Sequence, residues 1–306
     1  MTEFREIAAG LHFPEGPIAM PDGSVILVEI AARRLSRVAL DGTVSVIAET
    51  GGGPNGAAIG PDGRCYICNN GGMIFHERDG MCFPGHATAD ATPGWIEAVN
   101  LETGVVEVLY RDCDGEPLRA PNDLVFDKDG GFWFTDHGKS REHDRDKGWI
   151  YYALPDGSMI RQVVRNLDGP NGIGLSPDGK TLYAVETVTG RVWAYDVVRP
   201  GEISKKPGPA PWVRGRLLAN PNGYHLFDSL AVDSAGNICV GSIPGNITVV
   251  SQDGQFHEDL AMPDPFPTNI CFGGPGLKTA YVTLSGAGRL ISIDWPRPGA
   301  PLHFLN

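Results

Sequence analysis

The chain has 306 residues, a formal net charge of −12 at pH 7 and 42% hydrophobic residues. Its length could hold two domains, but single all-β domains often reach this size, and without a linker in the sequence we predict one domain over residues 1–306. The acidic charge argues against nucleic acid or an anionic membrane surface as a partner, because both attract basic patches.

In chain order, the sequence repeats one unit six times. Each unit opens with a polar residue at the head of an apolar run. We call these the slot residues, and they are Glu15, Asn55, Asn122, Asn171, Asp228 and Asn269. In five units the run leads to a turn, namely Pro21-Asp22-Gly23, Pro61-Asp62-Gly63, Lys128-Asp129-Gly130, Pro177-Asp178-Gly179 and Ser234-Ala235-Gly236.

Two further strands are predicted in each unit. The second strands are rich in aromatic and β-branched residues and span 25–28, 65–68, 132–135, 182–185, 238–240 and 280–283. The third strands span 34–40, 95–101, 149–154, 191–197, 246–251 and 289–295. A further Gly turn after the third strand, at Asp41-Gly42, Asp156-Gly157 and Asp253-Gly254, with Glu102-Thr103-Gly104 in a fourth unit, indicates a fourth strand. Four short strands repeated at roughly fifty residues predict an all-β, six-bladed β-propeller with four antiparallel strands per blade, and the slot residues predict a metal site in its central channel. The sequence leaves open which strand closes the ring.

In a propeller the first strands line the central channel and run in one direction, so the slot residues should meet at one mouth. Two carboxylates with several amide oxygens and no Cys or His suit a hard divalent cation such as Ca²⁺, Mg²⁺ or Mn²⁺. Asn55 and Asn269 also fit a structural role in turns, and that alternative stays open. Glu15 fits it less well, because its side chain is longer.

The second strands should end at the same mouth. Their last residues form a predicted second tier: Glu29, Asn69, Asp136 with His137, Glu186, Ser242 and Thr283. His137 is a candidate for contact with substrate, although a lone His at a mouth is more often only a lining residue.

Several segments together resemble a known family. They are Phe13-Pro14-Glu15-Gly16-Pro17, Ala120-Pro121-Asn122-Asp123-Leu124 followed by Phe134-Thr135-Asp136, Gly169-Pro170-Asn171-Gly172, and Asp228-Ser229-Leu230-Ala231-Val232-Asp233. This ordered set resembles the senescence marker protein, gluconolactonase and luciferin-regenerating enzyme family. The resemblance implies a six-bladed propeller with one catalytic divalent ion, and hydrolysis of lactones or, in some branches, of other esters or organophosphates.

The resemblance also assigns roles. It implies that Glu15, Asn171 and Asp228 hold the ion, that Asn122 binds the ion or contacts substrate, and that Asp228 acts as base or nucleophile. The expected cofactor is one divalent ion, Ca²⁺ first, with Mg²⁺, Mn²⁺, Zn²⁺ or Fe²⁺ as alternatives.

Two features concern the substrate. Sugar-lactone members carry an Arg where this chain has Ala120, which puts a sugar substrate in doubt. The insertion at 71–94 contains Phe75 and Phe83 and would form an apolar lid if it lies over the mouth. The alternative is that it covers the side of a blade or forms a dimer contact.

We therefore predict a metal-dependent lactonase that opens a lactone less polar than a simple sugar lactone by metal-activated water, with Asp228 as base. Candidate substrate contacts are Asn122, His137, Phe75, Phe83, Asn55 and Asn269. The expected partner is a small lactone or ester, and the protein is expected to be cytoplasmic, without a membrane segment, and a monomer or small homo-oligomer. The alternatives are a non-catalytic binding platform, a metal-dependent isomerase or hydratase, and an organophosphate hydrolase on the same site.

Overall fold

The structure is a computed structural model that describes residues 3–87 and 91–306. As predicted, the protein is a six-bladed β-propeller with four antiparallel strands per blade. An N-terminal strand, β1 (Arg5–Ala8), precedes the first blade. Blade 1 contains β2 (Pro14–Ala19), β3 (Val25–Glu29), β4 (Arg34–Val38) and β5 (Val44–Glu49). Blade 2 contains β6 (Pro54–Ile59), β7 (Cys65–Asn69), a hairpin of β8 (Phe75–Arg78) and β9 (Met81–Pro84), then β10 (Trp95–Val99) and β11 (Val106–Tyr110).

The remaining blades follow the same plan. A small hairpin of β12 (Asp112–Cys113) and β13 (Glu116–Pro117) leads to blade 3, with β14 (Pro121–Phe126), β15 (Phe132–Asp136), β16 (Gly148–Ala153) and β17 (Ile160–Leu167). Blade 4 contains β18 (Pro170–Leu175), β19 (Thr181–Glu186), β20 (Arg191–Arg199), the short β21 (Glu202–Ile203) and β22 (Arg216–Ala219). Blade 5 contains β23 (Leu226–Val232), β24 (Ile238–Ile243), β25 (Asn246–Val250) and β26 (His257–Ala261). Blade 6 contains β27 (Pro267–Gly273), β28 (Thr279–Leu284) and β29 (Arg289–Asp294).

The N-terminal strand closes the ring. β1 pairs antiparallel with β29, with Arg5 opposite Ser292 and Glu6 opposite Ile291, and so supplies the fourth strand of blade 6. The first strands also contact one another in cyclic order, and β2 of blade 1 contacts β27 of blade 6. The strand exchange that the sequence left open is therefore made by the N-terminal segment.

The hydrophobic core lies between neighbouring sheets. Between blades 2 and 3, for example, Tyr66, Phe126 and Phe132 are buried against one another, with ring centroids 5.1 to 5.9 Å apart. Tyr66 and Phe132 come from second strands, which the sequence marks as aromatic-rich, and Phe126 ends the first strand of blade 3, so neighbouring sheets present large residues to each other. Such packing fixes the sheets rigidly around the channel.

The channel itself is narrow because the first strands approach closely. Gly16 has a φ of 53°, and a Cβ there would lie 2.6 Å from the carbonyl oxygen of Asn55 in blade 2. A Cβ at Gly172 would lie 2.6 Å from the backbone nitrogen of Leu230 in blade 5. Glycine is required at both positions, which directly follow slot residues Glu15 and Asn171.

Helical structure is minimal. Within residues 3–87 and 91–306 the only helix is a single 3₁₀ turn over Pro275–Leu277. That part of the chain also has no helix with the length and apolar character needed to cross a membrane.

Candidate active site

The slot residues converge at the channel, as the propeller prediction requires. Glu15 Oε2 accepts a hydrogen bond of 2.7 Å from Asn269 Nδ2, which joins the first blade to the last. On the other side, Ser229 Oγ donates to Asn171 Oδ1 at 3.4 Å, which joins blades 4 and 5. Five of the slot residues are buried, and Asp228 is half-buried.

An irregularity in strand pairing accompanies every slot residue. The register between the first and second strand shifts between Glu15 and Ile18 in blade 1, and equivalent shifts occur in the other five blades. Bulges of this kind re-aim side chains and are common beside active sites. Here they let consecutive residues face the channel where a regular strand would alternate them.

The surroundings of the carboxyl groups at the channel disfavour their ionised forms. Burial raises the pKa of Glu15, although hydrogen bonds from Asn269 and from the Gly16 N–H oppose the shift. Burial, followed by the charge of Glu15, raises the pKa of Asp228 well above its usual range. Without a counter-charge, these two carboxylates repel each other when both are ionised.

Two oxygen atoms at the channel lack a hydrogen-bond partner within the described residues. They are Glu15 Oε1 and Asn122 Oδ1, and both are buried. Buried acceptors are normally satisfied, so these atoms require another explanation. In the described residues no group of three or more His, Cys, Asp or Glu side chains could hold a metal ion. An ion here would therefore be held by amide as well as carboxylate oxygens, and unpartnered oxygens beside two carboxylates fit a hard cation.

Asn171 is oriented by its neighbours. Its Nδ2 donates to Thr187 Oγ1 at 3.1 Å, and Thr187 Oγ1 in turn donates to the carbonyl of Phe227 at 2.7 Å. The amide nitrogen is thereby held toward blade 5, and Oδ1 lies beside Ser229. A hydrogen bond from the Asn171 side chain also opposes the rise in the pKa of Asp228, so the amide N–H group lies toward Asp228 while Oδ1 accepts from Ser229.

Asp123 is a channel residue that the sequence analysis did not select. Burial, then the charge of Glu15, raises its pKa to about 8. It directly follows Asn122, and strand alternation would place it on the opposite face, but the register shift between Pro121 and Leu124 brings it to the channel. The sequence contained a signal for this residue: the position after the slot residue holds Gly16, Gly56 and Gly172 in three other blades, so the carboxylate of Asp123 departs from the repeat.

Four members of the predicted second tier act as backbone clamps, each accepting N–H groups from the segment that leads into a slot. Glu29 accepts the His12 N–H at 2.9 Å, Asp136 accepts the N–H groups of Arg119 and Ala120, both at 2.7 Å, and Glu186 accepts the Asp168 N–H at 2.7 Å. Asn69 does the same for the Gly53 N–H at 2.8 Å. These side chains position the slot residues and are occupied in doing so.

His137 follows the clamp residue Asp136 and is half-buried. Its Nδ1 lies 3.1 Å from the carbonyl oxygen of Gly138, and its Nε2 lies against Gly169, which precedes the blade 4 slot. Burial lowers the pKa of His137, which favours the neutral ring. Asn269, in contrast, uses its Nδ2 on Glu15 and its Oδ1 on the Ile270 N–H, so both of its polar groups are engaged within the protein.

The insertion within blade 2, between β7 and β10, lies on the mouth side of the propeller. Its hairpin, β8 and β9, reaches blade 6, where the Cys82 N–H donates to the carbonyl of Gly286 at 2.8 Å. The Ala87 N–H donates to the carbonyl of Ser140 in blade 3 at 2.9 Å. Residues 88–90, which fall within the predicted lid of 71–94, lie outside the described residues.

The hairpin contributes to an aromatic cluster on the mouth side of blades 6 and 1, made of Phe13, Phe75, Phe83 and Phe266. The ring centroids of Phe13 and Phe75 are 5.1 Å apart, and those of Phe83 and Phe266 are 5.4 Å apart. Phe13 precedes the slot residue Glu15, and Phe266 precedes Asn269. The aromatic cluster therefore borders the channel mouth.

Blade 3 offers no cation at the position where sugar-lactone relatives were expected to carry Arg. Ala120 is buried, and its neighbour Arg119 pairs with Asp146 at 3.4 Å and lies over the Trp149 ring at 5.8 Å. The guanidinium is thus engaged by partners within its own blade.

Residues 13–286 match the family model described as SMP-30/Gluconolactonase/LRE-like region. The chain belongs to this family. The family resemblance carried by the slot segments is thereby confirmed.

Three known proteins show how far the similarity of this chain extends. A gluconolactonase from Zymomonas mobilis is 24% identical over 93% of this chain and 79% of its own length. The diisopropyl-fluorophosphatase of Loligo vulgaris is 29% identical over 63% of each chain. The crystal structure of a regucalcin from Agrobacterium tumefaciens, described as a calcium-binding protein, is 19% identical, covers 98% of both chains and has a TM-score of 0.74. At that identity the structural similarity shows the fold alone.

Proposed function

We propose that this protein is a metal-dependent hydrolase that opens lactone rings. The proposal depends chiefly on one observation: Glu15 Oε1 and Asn122 Oδ1 are buried at the channel without a partner among the described residues, next to Asp228. Similarity to a gluconolactonase over most of the chain supports the lactone as substrate.

The ion would be held by Glu15, Asn171 and Asp228, with Asn122 as a further ligand. Ca²⁺ fits this set of carboxylate and amide oxygens best, and Mg²⁺ or Mn²⁺ fits next, because the site has no Cys or His. When bound, a divalent ion supplies a Lewis acid for the lactone carbonyl and lowers the pKa of water.

The side chains at the channel would transfer the proton and orient the substrate. Asp228 takes the proton from the attacking water and, having two carboxylate oxygens, can also hold the ion. Asn122 orients the lactone, and neutral His137 lines the mouth as a weaker candidate for the same task. Asn55 and Asn269 remain proposed contacts with the substrate, although Asn269 also donates a hydrogen bond that holds the carboxylate of Glu15 in place.

The substrate would be less hydroxylated than a simple sugar lactone. Ala120 provides no charge for gripping hydroxyl groups, and Arg119 is engaged with Asp146 and Trp149. The aromatic cluster offers an apolar surface at the mouth instead. Such surfaces bind aromatic or alkyl groups by removing them from water.

Removing one ring of the aromatic cluster tests this idea. The variant Phe83→Ala should lower kcat/KM for an aromatic lactone such as dihydrocoumarin by about fivefold, because an aromatic contact contributes about 1 kcal/mol. γ-Butyrolactone, which is too small to span the mouth, should be affected little. Phe256→Ala, an exposed Phe in blade 5, is the matched control. Equal effects of Phe83→Ala on both lactones would contradict a role in specificity.

A second candidate is phosphotriester hydrolysis at the same site. It is favoured by the similarity to the diisopropyl-fluorophosphatase of Loligo vulgaris. The same ion and the same carboxylate could act on a phosphoryl group, with Asp228 as nucleophile. Substrate screening separates the two reactions.

The proposed function is tested by measuring the rate of hydrolysis with chelator-treated and with metal-restored protein. The metal content is measured on the same samples. The panel contains γ-valerolactone, dihydrocoumarin, glucono-δ-lactone and a chromogenic phosphotriester. We expect activity only with a restored divalent ion, and faster turnover of the less hydroxylated lactones. Bound metal without hydrolysis of any panel compound would favour an isomerase or hydratase. A protein that binds no divalent ion would favour a non-catalytic binding platform.

A further inference from the structure

A lysine at the channel mouth is half-buried between the loops of blades 2 and 3. Lys139 Nζ donates to the backbone carbonyl of Asn70 and has no ion-pair partner in the described part of the chain. Lys is seldom buried unless it is paired. The nearby carboxylates are occupied, since Asp136 accepts three backbone N–H groups and Asp146 pairs with Arg119 and Arg141.

Asn70 provides a second unsatisfied donor at the same place. The residue is 3% exposed, its Oδ1 accepts the Gly72 N–H at 2.8 Å, and its Nδ2 has no partner among the described residues. Its amide packs against Gly53, where a Cβ would lie 2.2 Å from Asn70 Oδ1. Because Gly53 stands two residues before the slot residue Asn55, Asn70 lies at the rim of the channel.

We propose that Lys139 and Asn70 form a subsite for a carboxylate group on the substrate, so that the preferred lactone is anionic. This inference rests on the proposed function. An ammonium has three donors and an amide nitrogen has two, and a carboxylate accepts hydrogen bonds without donating any. Lys139 uses one donor on the Asn70 carbonyl, and the Asn70 amide uses none. A carboxylate supplies the missing acceptors and a direct ion-pair partner for Lys139, which the occupied Asp136 and Asp146 do not provide.

The subsite complements the aromatic cluster. Phe13 and Phe266 border the mouth at blades 1 and 6, whereas Lys139 belongs to blade 3, which faces blade 6 across a six-bladed ring. A lactone held at the slot residues would then direct an apolar part to one side and an anionic part to the other.

A matched pair of lactones tests the subsite. γ-Valerolactone and γ-carboxy-γ-butyrolactone differ only by a methyl group in place of a carboxylate. Wild-type protein should favour the carboxylated lactone, and Lys139→Met should lower kcat/KM for that lactone by about tenfold or more, the value of a charged hydrogen bond, with little effect on the neutral one. Lys139→Arg should restore part of the preference. Lys147→Met removes the same charge from an exposed position of the same loop, where the ammonium pairs with Asp168, and serves as control.

The two lactones also distinguish the subsite from a structural latch. If Lys139 serves only to hold the Asn70 carbonyl, Lys139→Met will reduce turnover of both lactones equally, and the proposal is wrong. No effect on either lactone also overturns it. Asn70→Asp keeps the acceptor for the Gly72 N–H but places a charge against the substrate carboxylate, so it should reverse the preference.

Binding provides a measurement that does not depend on turnover. Calorimetry with Asp228→Asn protein in excess Ca²⁺ compares the affinity for the two lactones, with and without Lys139→Met. A selective loss of affinity for γ-carboxy-γ-butyrolactone supports the subsite. This holds even if wild-type protein hydrolyses neither lactone, because absence of hydrolysis would refute only the proposed function. Unchanged affinity overturns the subsite even if the protein is a lactonase.

Discussion

Asp228→Asn should lower kcat for lactone hydrolysis by about 10²- to 10⁴-fold, the range that a positioned proton acceptor contributes. Asn has nearly the same shape as Asp but cannot take a proton from water. The fold should survive, because burial and the charge of Glu15 already disfavour the ionised form of Asp228. A neutral side chain at this position removes repulsion from the metal-free channel.

Metal titration separates the two roles proposed for Asp228. If the carboxylate were only a ligand, the variant would bind the ion more weakly, and excess Ca²⁺ would restore turnover. If it is the base, turnover stays low when calorimetry shows that the site is saturated. The matched control is Asp253→Asn, which makes the same chemical change in the same blade. That carboxylate lies in an outer turn, where it accepts hydrogen bonds from Ser251 and Gln255. Full turnover by Asp228→Asn would exclude Asp228 as base.

The sequence predicts the blades well because two local signals agree. Turn residues such as those at 21–23 and 61–63 fix where each first hairpin reverses, and alternating aromatic and β-branched residues fix the strands between turns. The second strands begin within a residue or two of the predicted positions, as in β3 and β15. The repeated polar slot then defines one end of the channel.

Other features depend on contacts that are distant in sequence. Whether β1 pairs with β29 is decided when the ring closes, and no local pattern near Phe4 indicates its partner. The path of the hairpin from blade 2 to Gly286 of blade 6 is equally non-local. Asp123 could not be predicted for a different reason. The two-residue alternation used to identify strands assigns it to the face away from the channel, because the bulge between Pro121 and Leu124 is not visible in the sequence.

The second tier shows how residue type alone misleads. Carboxylates at strand ends near a mouth suggest ligands or bases, but Glu29 is saturated by the His12 N–H, Arg34 and Ser36. Whether such a side chain can bind an ion or act as a base therefore depends on whether its oxygens remain without a hydrogen-bond partner. By that criterion Glu15 and Asn122 differ from the clamps.

Without metal, the protein should lose stability as the pH rises from about 5 to about 8. Burial and the charge of Glu15 raise the pKa of Asp123 from 3.8 to about 8, and burial raises the pKa of Glu15 and Asp228 as well. In this window the folded protein holds protons that the unfolded chain releases, so stability is greatest at the low end and is lost as the pH rises through the raised values. A bound divalent ion favours the ionised carboxylates and opposes this loss.

Thermal unfolding across this pH range, in chelator and in saturating Ca²⁺, measures the effect. We expect the metal-free Tm to fall by about 5 °C or more, which for a chain of this size corresponds to a few kcal/mol, while the calcium-loaded Tm changes little. Asp123→Asn removes one of the coupled groups and should flatten the metal-free curve. Parallel curves with and without Ca²⁺ would mean that the ion does not act on these carboxylates. A metal-free Tm that stays constant would mean that their repulsion is relieved by the protein itself.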